Sequence, residues 1–166
     1  MTERLNLEGL TCLVTGASRG IGRAAALVLS ERGAQVVAMA RSRDALEGLE
    51  RECGARPLVA DLADDTEIWA AIDELAESEL GIPDVVVNAA GVFGIESCSS
   101  MSVDSFDEHL AINLRAPFLL TRAVLPKMLE RKSGLVVNIG SVAGRKAFPG
   151  NGAYSASKYG LRGFHE

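Results

Sequence analysis

The stretch "TCLVTGASRGIGRAAALVLSERG" (11–33) does most to limit how this chain can fold. It opens on a short run, apolar or β-branched throughout, of the kind expected of a strand buried on both faces of a parallel sheet. It closes on a helical pattern in which Ala24, Ala25, Val28 and Leu29 form a stripe and Gly33 supplies a C-terminal stop. Between the two lie Gly16, Gly20 and Gly22, spaced G-x-x-x-G-x-G. Glycine lets a chain turn sharply from strand to helix, lets a pyrophosphate approach the backbone, and lets the helix pack closely on its strand. A turn alone would also account for glycines. Their position directly between an apolar strand and an amphipathic helix points to a phosphate cradle.

The alternation continues along the chain. "QVVAMA" (35–40), "RPLVA" (56–60), "DVVVNA" (84–89) and "LVVNIG" (135–140) are further apolar runs. Ser42 is placed to cap a helix over 43–53 with Ala45, Leu46 and Leu49 on one face, and Asp64 with Glu67 predicts a capped helix over 65–79. A long helical stretch, 103–131, follows Ser102, and Pro117 and Pro126 predict that it is kinked or divided. A βαβαβ succession with right-handed crossovers gives an α/β fold: a Rossmann-type, doubly wound parallel sheet in three α/β/α layers. The 166 residues fit one domain, 1–166, with no repeat, linker or low-complexity segment. Ligands of such folds sit at the carboxyl ends of the strands.

Composition narrows the partners. A net charge of −5 argues against nucleic acid, which needs a basic footprint. The N-terminal "MTERLNLEGL" is too polar for a signal peptide, and no apolar run is long enough to span a bilayer. Cys12, Cys53 and Cys98 are far apart with no CxxC, and read as thiols in a reducing compartment rather than a disulfide frame or metal site. A cytoplasmic protein without membrane or metal is expected.

Two positions speak to the nucleotide. The second strand ends at Ala40-Arg41-Ser42, where NAD binders usually carry a carboxylate for the adenosine ribose. With no carboxylate there, Arg41 and Arg19 are candidates for a 2′-phosphate in a charge-assisted contact, which predicts NADP(H) in preference to NAD(H). The plain alternative is that both are solvated surface arginines. Asp61, after the third strand, could accept from the adenine amino group or simply cap the turn "DLADD".

Tyr154 and Lys158, four apart, share a face of any helix over "NGAYSASKYG" (151–160). A free tyrosine titrates near ~10, and a nearby ammonium lowers that value by stabilising the phenolate. Lowering it by ~3 takes ~4 kcal/mol of differential interaction. Such a tyrosine can protonate an alkoxide as hydride arrives or deprotonate an alcohol as hydride leaves. Ser141, at the end of the fifth strand, could hold a carbonyl oxygen, and Asn113, inside the long helical stretch, could bond a backbone group or a water leading to Lys158. Taken singly, these are a surface lysine, a turn serine and a helix-break asparagine; as a set they have no plain alternative.

On these residues the chain resembles the short-chain dehydrogenase/reductase family, over essentially its whole length. "TGASRGIG" (15–22) is similar to the family's cofactor motif, which implies cofactor contacts at Gly16, Ser18, Arg19, Gly20, Ile21 and Gly22. Asp61, with Leu62 beside it, matches the adenine-contacting aspartate. "NAAG" (88–91) is similar to the family's NNAG and implies further contacts at Asn88, Ala89 and Gly91; Ala89 stands where a second asparagine is commoner, which weakens the expected bracing of the sheet. Asn113, Ser141, Tyr154 and Lys158 match the catalytic tetrad, with Tyr154 and Lys158 also touching the cofactor. The resemblance implies a small carbonyl or alcohol substrate, contacts to it from 92–101 and 142–150, and a homo-oligomer, dimer or tetramer, built on the helices over 103–131 and from 153 onward. It also implies strands and a substrate lid beyond Glu166, which falls inside the active-site helix; the domain is expected to be incomplete at its C-terminus, with the fifth strand an exposed apolar edge. Two rival readings follow: a catalytically impaired fragment serving as a dinucleotide- or partner-binding domain, and an epimerase or dehydratase of the extended branch. The G-x-x-x-G-x-G spacing argues against the second, since that branch carries G-x-x-G-x-x-G.

Overall fold

A computed structural model describes residues 6–166. All five expected strands form: β1 (Thr11–Thr15), β2 (Gln35–Ala40), β3 (Arg56–Val59), β4 (Val85–Asn88) and β5 (Leu135–Asn138). They make one parallel sheet in the order β3-β2-β1-β4-β5. The chain leaves β1 in one direction to build β2 and β3, then returns to the other side for β4 and β5. The crevice between β1 and β4 is therefore the topological switch point of a doubly wound fold.

Alternation along the central strands builds two cores. Leu13, Val37, Met39, Leu58 and Val86 face helices α3 (Asp65–Glu77) and α5 (Ala116–Arg131) through Ile68, Leu75, Leu120 and Val124. Cys12, Val14, Val36 and Ala38 face α1 (Gly20–Glu31) and α2 (Arg43–Cys53) through Ala26, Leu46 and Leu49. Three layers result, as the strand pattern predicts. Burial beside Asp84 pushes the Cys12 thiol up to about 11, chiefly by desolvation, so this cysteine packs as an inert apolar group. Cys12, Cys53 and Cys98 are all free thiols.

Several local expectations need correction. The buried face of α1 is Gly22 and Ala26, with Ala25 and Leu29 half-buried; Ala24 and Val28 are exposed. Gly22 decides this, because a Cβ there would stand 2.4 Å from the Gly16 carbonyl oxygen, and that contact turns the helix. Asp64 does cap α3 from the amides of Thr66 (2.7 Å) and Glu67 (3.3 Å), but Glu67 Oε2 accepts from the Asp61 amide (2.7 Å) rather than from Asp64. The long helical stretch divides just before Pro117, which lies in the first turn of α5, and not at Pro126. α4 (Val103–Leu110) passes through a π-helical turn, Ala111–Arg115, into α5, and Pro126 sits within α5 on its solvent side, where the carbonyl it frees can reach water. The last helix is α6 (Gly152–His165). β5 is the outer strand, with Leu135 exposed and Val136, Val137 and Asn138 half-buried. Among the described residues, no helix is long and apolar enough to cross a membrane, and no group of three or more His, Cys, Asp or Glu could hold a metal.

Candidate active site

The carboxyl ends of the strands open into a cleft of about 600 Å³ spanning the switch point. Of the residues singled out in the sequence, Gly16, Ser18, Arg19, Gly20, Ile21, Gly22, Arg41, Asp61, Leu62, Ala89 and Gly91 line it. Ala40, Ser42, Ala45, Ala60, Ala90, Val92 and Ile112 join them, none of which was named as a cofactor contact. Gly16 takes φ 65° and lies so near the β4 turn that a Cβ would stand 2.7 Å from Ala90 Cα. No other residue fits that position. α1 enters the cleft with neither a side-chain cap nor an acidic residue in its first turn, so its positive end stands open to an anion. A pocket of this size, bare-walled at the glycines and positive at the helix end, fits a dinucleotide.

The turn after β4 is held by Asn88, which the motif marked, and by Thr15 and Asn138, which were not expected there. Thr15 Oγ1 accepts from the amides of Ala89 and Ala90, both at 3.1 Å, which ties the β4 turn to the glycine loop. Asn88 is buried; its Nδ2 donates to Asn138 Oδ1 across the β4–β5 pair (2.8 Å), while its Oδ1 has no partner. The bracing expected of a second asparagine at position 89 thus falls to Thr15 and Asn138.

Asn113 lies in the π-helical turn, fully buried. Its Oδ1 accepts from the Val92 amide (2.8 Å) and its Nδ2 donates to the Val92 carbonyl (2.9 Å) and to Ser157 Oγ (2.9 Å). The expected bond to a backbone group forms, to Val92, and Ser157 is a further partner. Both amide protons are spent on protein, and the clamp joins the strand end, the π turn and α6.

Tyr154 and Lys158 share a face of α6, with the ammonium 5.9 Å from the Tyr154 ring centre. Lys158 is 5% exposed and donates from Nζ to the Ile139 carbonyl (2.7 Å). Burial holds its pKa below the usual lysine range. A Cβ on Gly91 would stand 3.2 Å from Asn113 Oδ1 and 3.9 Å from Lys158 Nζ, so both groups lie against Gly91 where the cleft ends. Ser141 caps a short 3-10 turn, Val142–Gly144, by accepting from the Ala143 amide (3.1 Å), which leaves its own proton to give. It shares a smaller hollow of about 320 Å³ with Lys158 and Asn138. Phe93 stands edge-on to Tyr154 at 4.9 Å.

At the far end of the cleft, Arg41 and Asp61 face each other, Nη1 to Oδ2 at 3.5 Å. The arginine expected to read a phosphate and the aspartate expected to read adenine are ion-paired to one another.

The short chain dehydrogenase family profile matches residues 10–166. The chain belongs to this family. The chain is 38% identical over 162 residues to D-threitol dehydrogenase of Mycolicibacterium smegmatis, covering 95% of this chain and 62% of the relative. It is 35% identical over 162 residues to the 3-oxoacyl-[acyl-carrier-protein] reductase FabG of Escherichia coli, covering 96% of this chain and 66% of the relative. A crystal structure of a metagenomic short-chain oxidoreductase in complex with NADP superposes with TM-score 0.91 at 40% identity, over 95% of this chain and 74% of that one. This short-chain dehydrogenase chain thus spans under two thirds of the length of the two curated relatives.

Proposed function

We propose that this protein is an NADP(H)-dependent oxidoreductase that interconverts a ketone and a secondary alcohol, with Tyr154 as general acid/base. The observation that carries the reading is the Tyr154–Lys158 pair on one face of α6, its ammonium buried and fixed on Ile139 where the cleft ends. A nicotinamide dinucleotide, when bound, supplies or takes the hydride. The glycine loop and the open end of α1 would hold its pyrophosphate, Asp61 its adenine, Arg41 and Arg19 its 2′-phosphate, and Tyr154 and Lys158 its nicotinamide ribose. The lack of a carboxylate at the end of β2 and the NADP carried by the solved relative support NADP over NAD.

The protein's own part of the reaction is a proton at one oxygen. In the reducing direction the Tyr154 hydroxyl gives its proton to the substrate oxygen, and in the other direction the phenolate takes it back. The Lys158 ammonium stabilises the phenolate and is itself kept in place by the Ile139 carbonyl. Ser141 donates to the carbonyl oxygen and polarises it. Asn113 keeps the strand end and α6 at fixed spacing, and both its amide protons are spent on protein, so a relay water it serves would donate to Oδ1 or use its backbone. The stretches expected to meet substrate are tied together, the Glu96 amide donating to the Gly150 carbonyl, and they expose Phe93, Ile95, Val142 and Phe148. Such a rim suits a substrate with an apolar part.

Titration of the chain with NADPH and with NADH, followed by turnover of a carbonyl panel, tests this reading. Tyr154→Phe is expected to cut turnover by ~10²–10⁴-fold while leaving nucleotide binding nearly unchanged. Surviving turnover in that variant rules the tyrosine mechanism out.

A further inference from the structure

The ion pair at the nucleotide end of the cleft is built, not incidental. β2 and β3 run parallel with Ala40 opposite Val59, and the Ala60 amide donates to the Ala40 carbonyl (3.2 Å), which carries Arg41 and Asp61 off the two strand ends side by side. Asp61 is fixed from behind. Its amide donates to Glu67 Oε2 (2.7 Å), and its Oδ1 accepts from the Ala63 amide (2.9 Å). That leaves Oδ2 turned toward Arg41, at 3.5 Å. The two partners are unequal: the Asp61 side chain is 32% exposed and held, while that of Arg41 is 63% exposed and free to move.

Resting on the reading above that Arg41 would hold the 2′-phosphate of the nucleotide, we infer that Asp61 is the residue that sets how strongly this site prefers a phosphorylated over an unphosphorylated adenosine ribose. Its carboxylate lies beside Arg41, the arginine after β2 that lines the cleft, so an arriving phosphate meets a cation already partly neutralised and a fixed like charge behind it. Two effects compete. The carboxylate orients Arg41, which favours phosphate; it also repels the phosphate, which disfavours it. Repulsion wins here. A loose, solvent-exposed pair at this distance does little to order an arginine, whereas a phosphate of nearly two charges meets a carboxylate fixed at close range, a repulsion that solvent screens only in part. Arg19, on the glycine loop and lining the same cleft, then supplies the cation that Asp61 does not neutralise. The site is a moderated one, tuned toward phosphate but restrained by its own counter-charge.

The test is the ratio of NADPH to NADH affinity, by nucleotide fluorescence, in the wild type, Asp61→Asn, Arg41→Ala and the double variant. Asn keeps an oxygen for the Ala63 amide while removing the charge, and any adenine contact it loses is common to both nucleotides and cancels in the ratio. Asp61→Asn is expected to raise the NADPH-to-NADH ratio about tenfold, equivalent to ~1.4 kcal/mol, and most of that gain should vanish when Arg41 is absent. Asp61→Ser, equally neutral, serves as a second variant should the asparagine perturb folding. An unchanged or lowered ratio in both neutral variants, or an equal loss for both nucleotides, overturns the inference and leaves Asp61 as an adenine contact alone. A wild-type protein that binds neither nucleotide removes the reading on which the inference stands, and the inference with it.

Discussion

Lys158 puts its ammonium where water hardly reaches, and one carbonyl, that of Ile139, takes the place of its hydration shell. Desolvation of a charge with a single neutral acceptor is costly, which is why its pKa falls. The sign of the pH effect follows from proton counts. The unfolded lysine keeps its proton up to ~10.4, while the folded one gives it up earlier, so between those values the unfolded state binds more protons and stability rises with pH. Below the folded value both states are charged and the cost is present in full. Lys158→Met is therefore expected to melt higher than the wild type near neutral pH, by ~2–4 °C for each kcal/mol of relieved cost, and to lose turnover. The gap between the two melting curves should close as pH climbs toward ~10. A gap that stays constant across that range would show that the ammonium is not paying a burial cost in the free protein. A buried ammonium held by one carbonyl at the end of the cleft is the pattern expected of a functional group.

At the scale of elements, what was legible in the sequence is what local physics determines. Strands buried on both faces announce themselves as apolar runs, and all five formed, although the runs of β3, β4 and β5 each extend past the last paired residue because an apolar turn looks like a strand. The site was readable wherever a motif sits at a strand end: the glycine loop and Gly91 reach the cleft directly. What depends on tertiary register was not readable. The meeting of Arg41 with Asp61 needs the alignment of β2 and β3, and the reach of Glu67 to Asp61 needs the turn between them. The Asp84–Arg131 staple is of the same kind. Arg131, at the end of α5, pairs with Asp84 Oδ1 (2.9 Å) and donates to the Pro83 carbonyl (2.6 Å), while Asp84 Oδ2 accepts from the Thr11 amide (2.9 Å) and the Asp84 carbonyl from the Leu135 amide (3.0 Å). One pair thereby joins the entry points of β1, β4 and β5 to α5, at the end of the sheet opposite the cleft. Both partners are partly exposed, so the loss from Arg131→Met is set at ~1–2 kcal/mol rather than the larger figure for a buried pair. Denaturant midpoints should show that loss with nucleotide affinity unchanged; a change in affinity would mean that the two ends of the sheet are not independent.

The described residues leave one side of the helical layer apolar and exposed. Phe118, Leu125 and Leu129 project from one side of α5, 42%, 42% and 66% exposed, and Phe118 meets Phe164 of α6 edge-on at 5.9 Å. Large apolar side chains grouped on neighbouring helices mark an interaction surface more often than scattered ones do. The outer edge of β5 offers a different contact, backbone to backbone, with Leu135 exposed beside it. The two surfaces make different predictions for self-association. A helix face buries aromatic and aliphatic side chains and should be sensitive to charge placed there, whereas a strand edge tolerates side-chain changes on α5 and responds to charge beside the ladder. We predict that the protein self-associates through the helix face: sedimentation at micromolar concentration should give a dimer or tetramer, and Leu125→Glu combined with Leu129→Lys should return it to the mass of one chain with its melting temperature little altered. Association that survives those changes but is lost in Leu135→Lys would move the interface to the edge of the sheet. Because α6 supplies both Phe164 to the apolar face and Tyr154 and Lys158 to the site, the helix-face interface carries a further consequence that the edge does not. Dilution to the single chain should weaken turnover along with assembly, as α6 loses the packing that steadies its outer side.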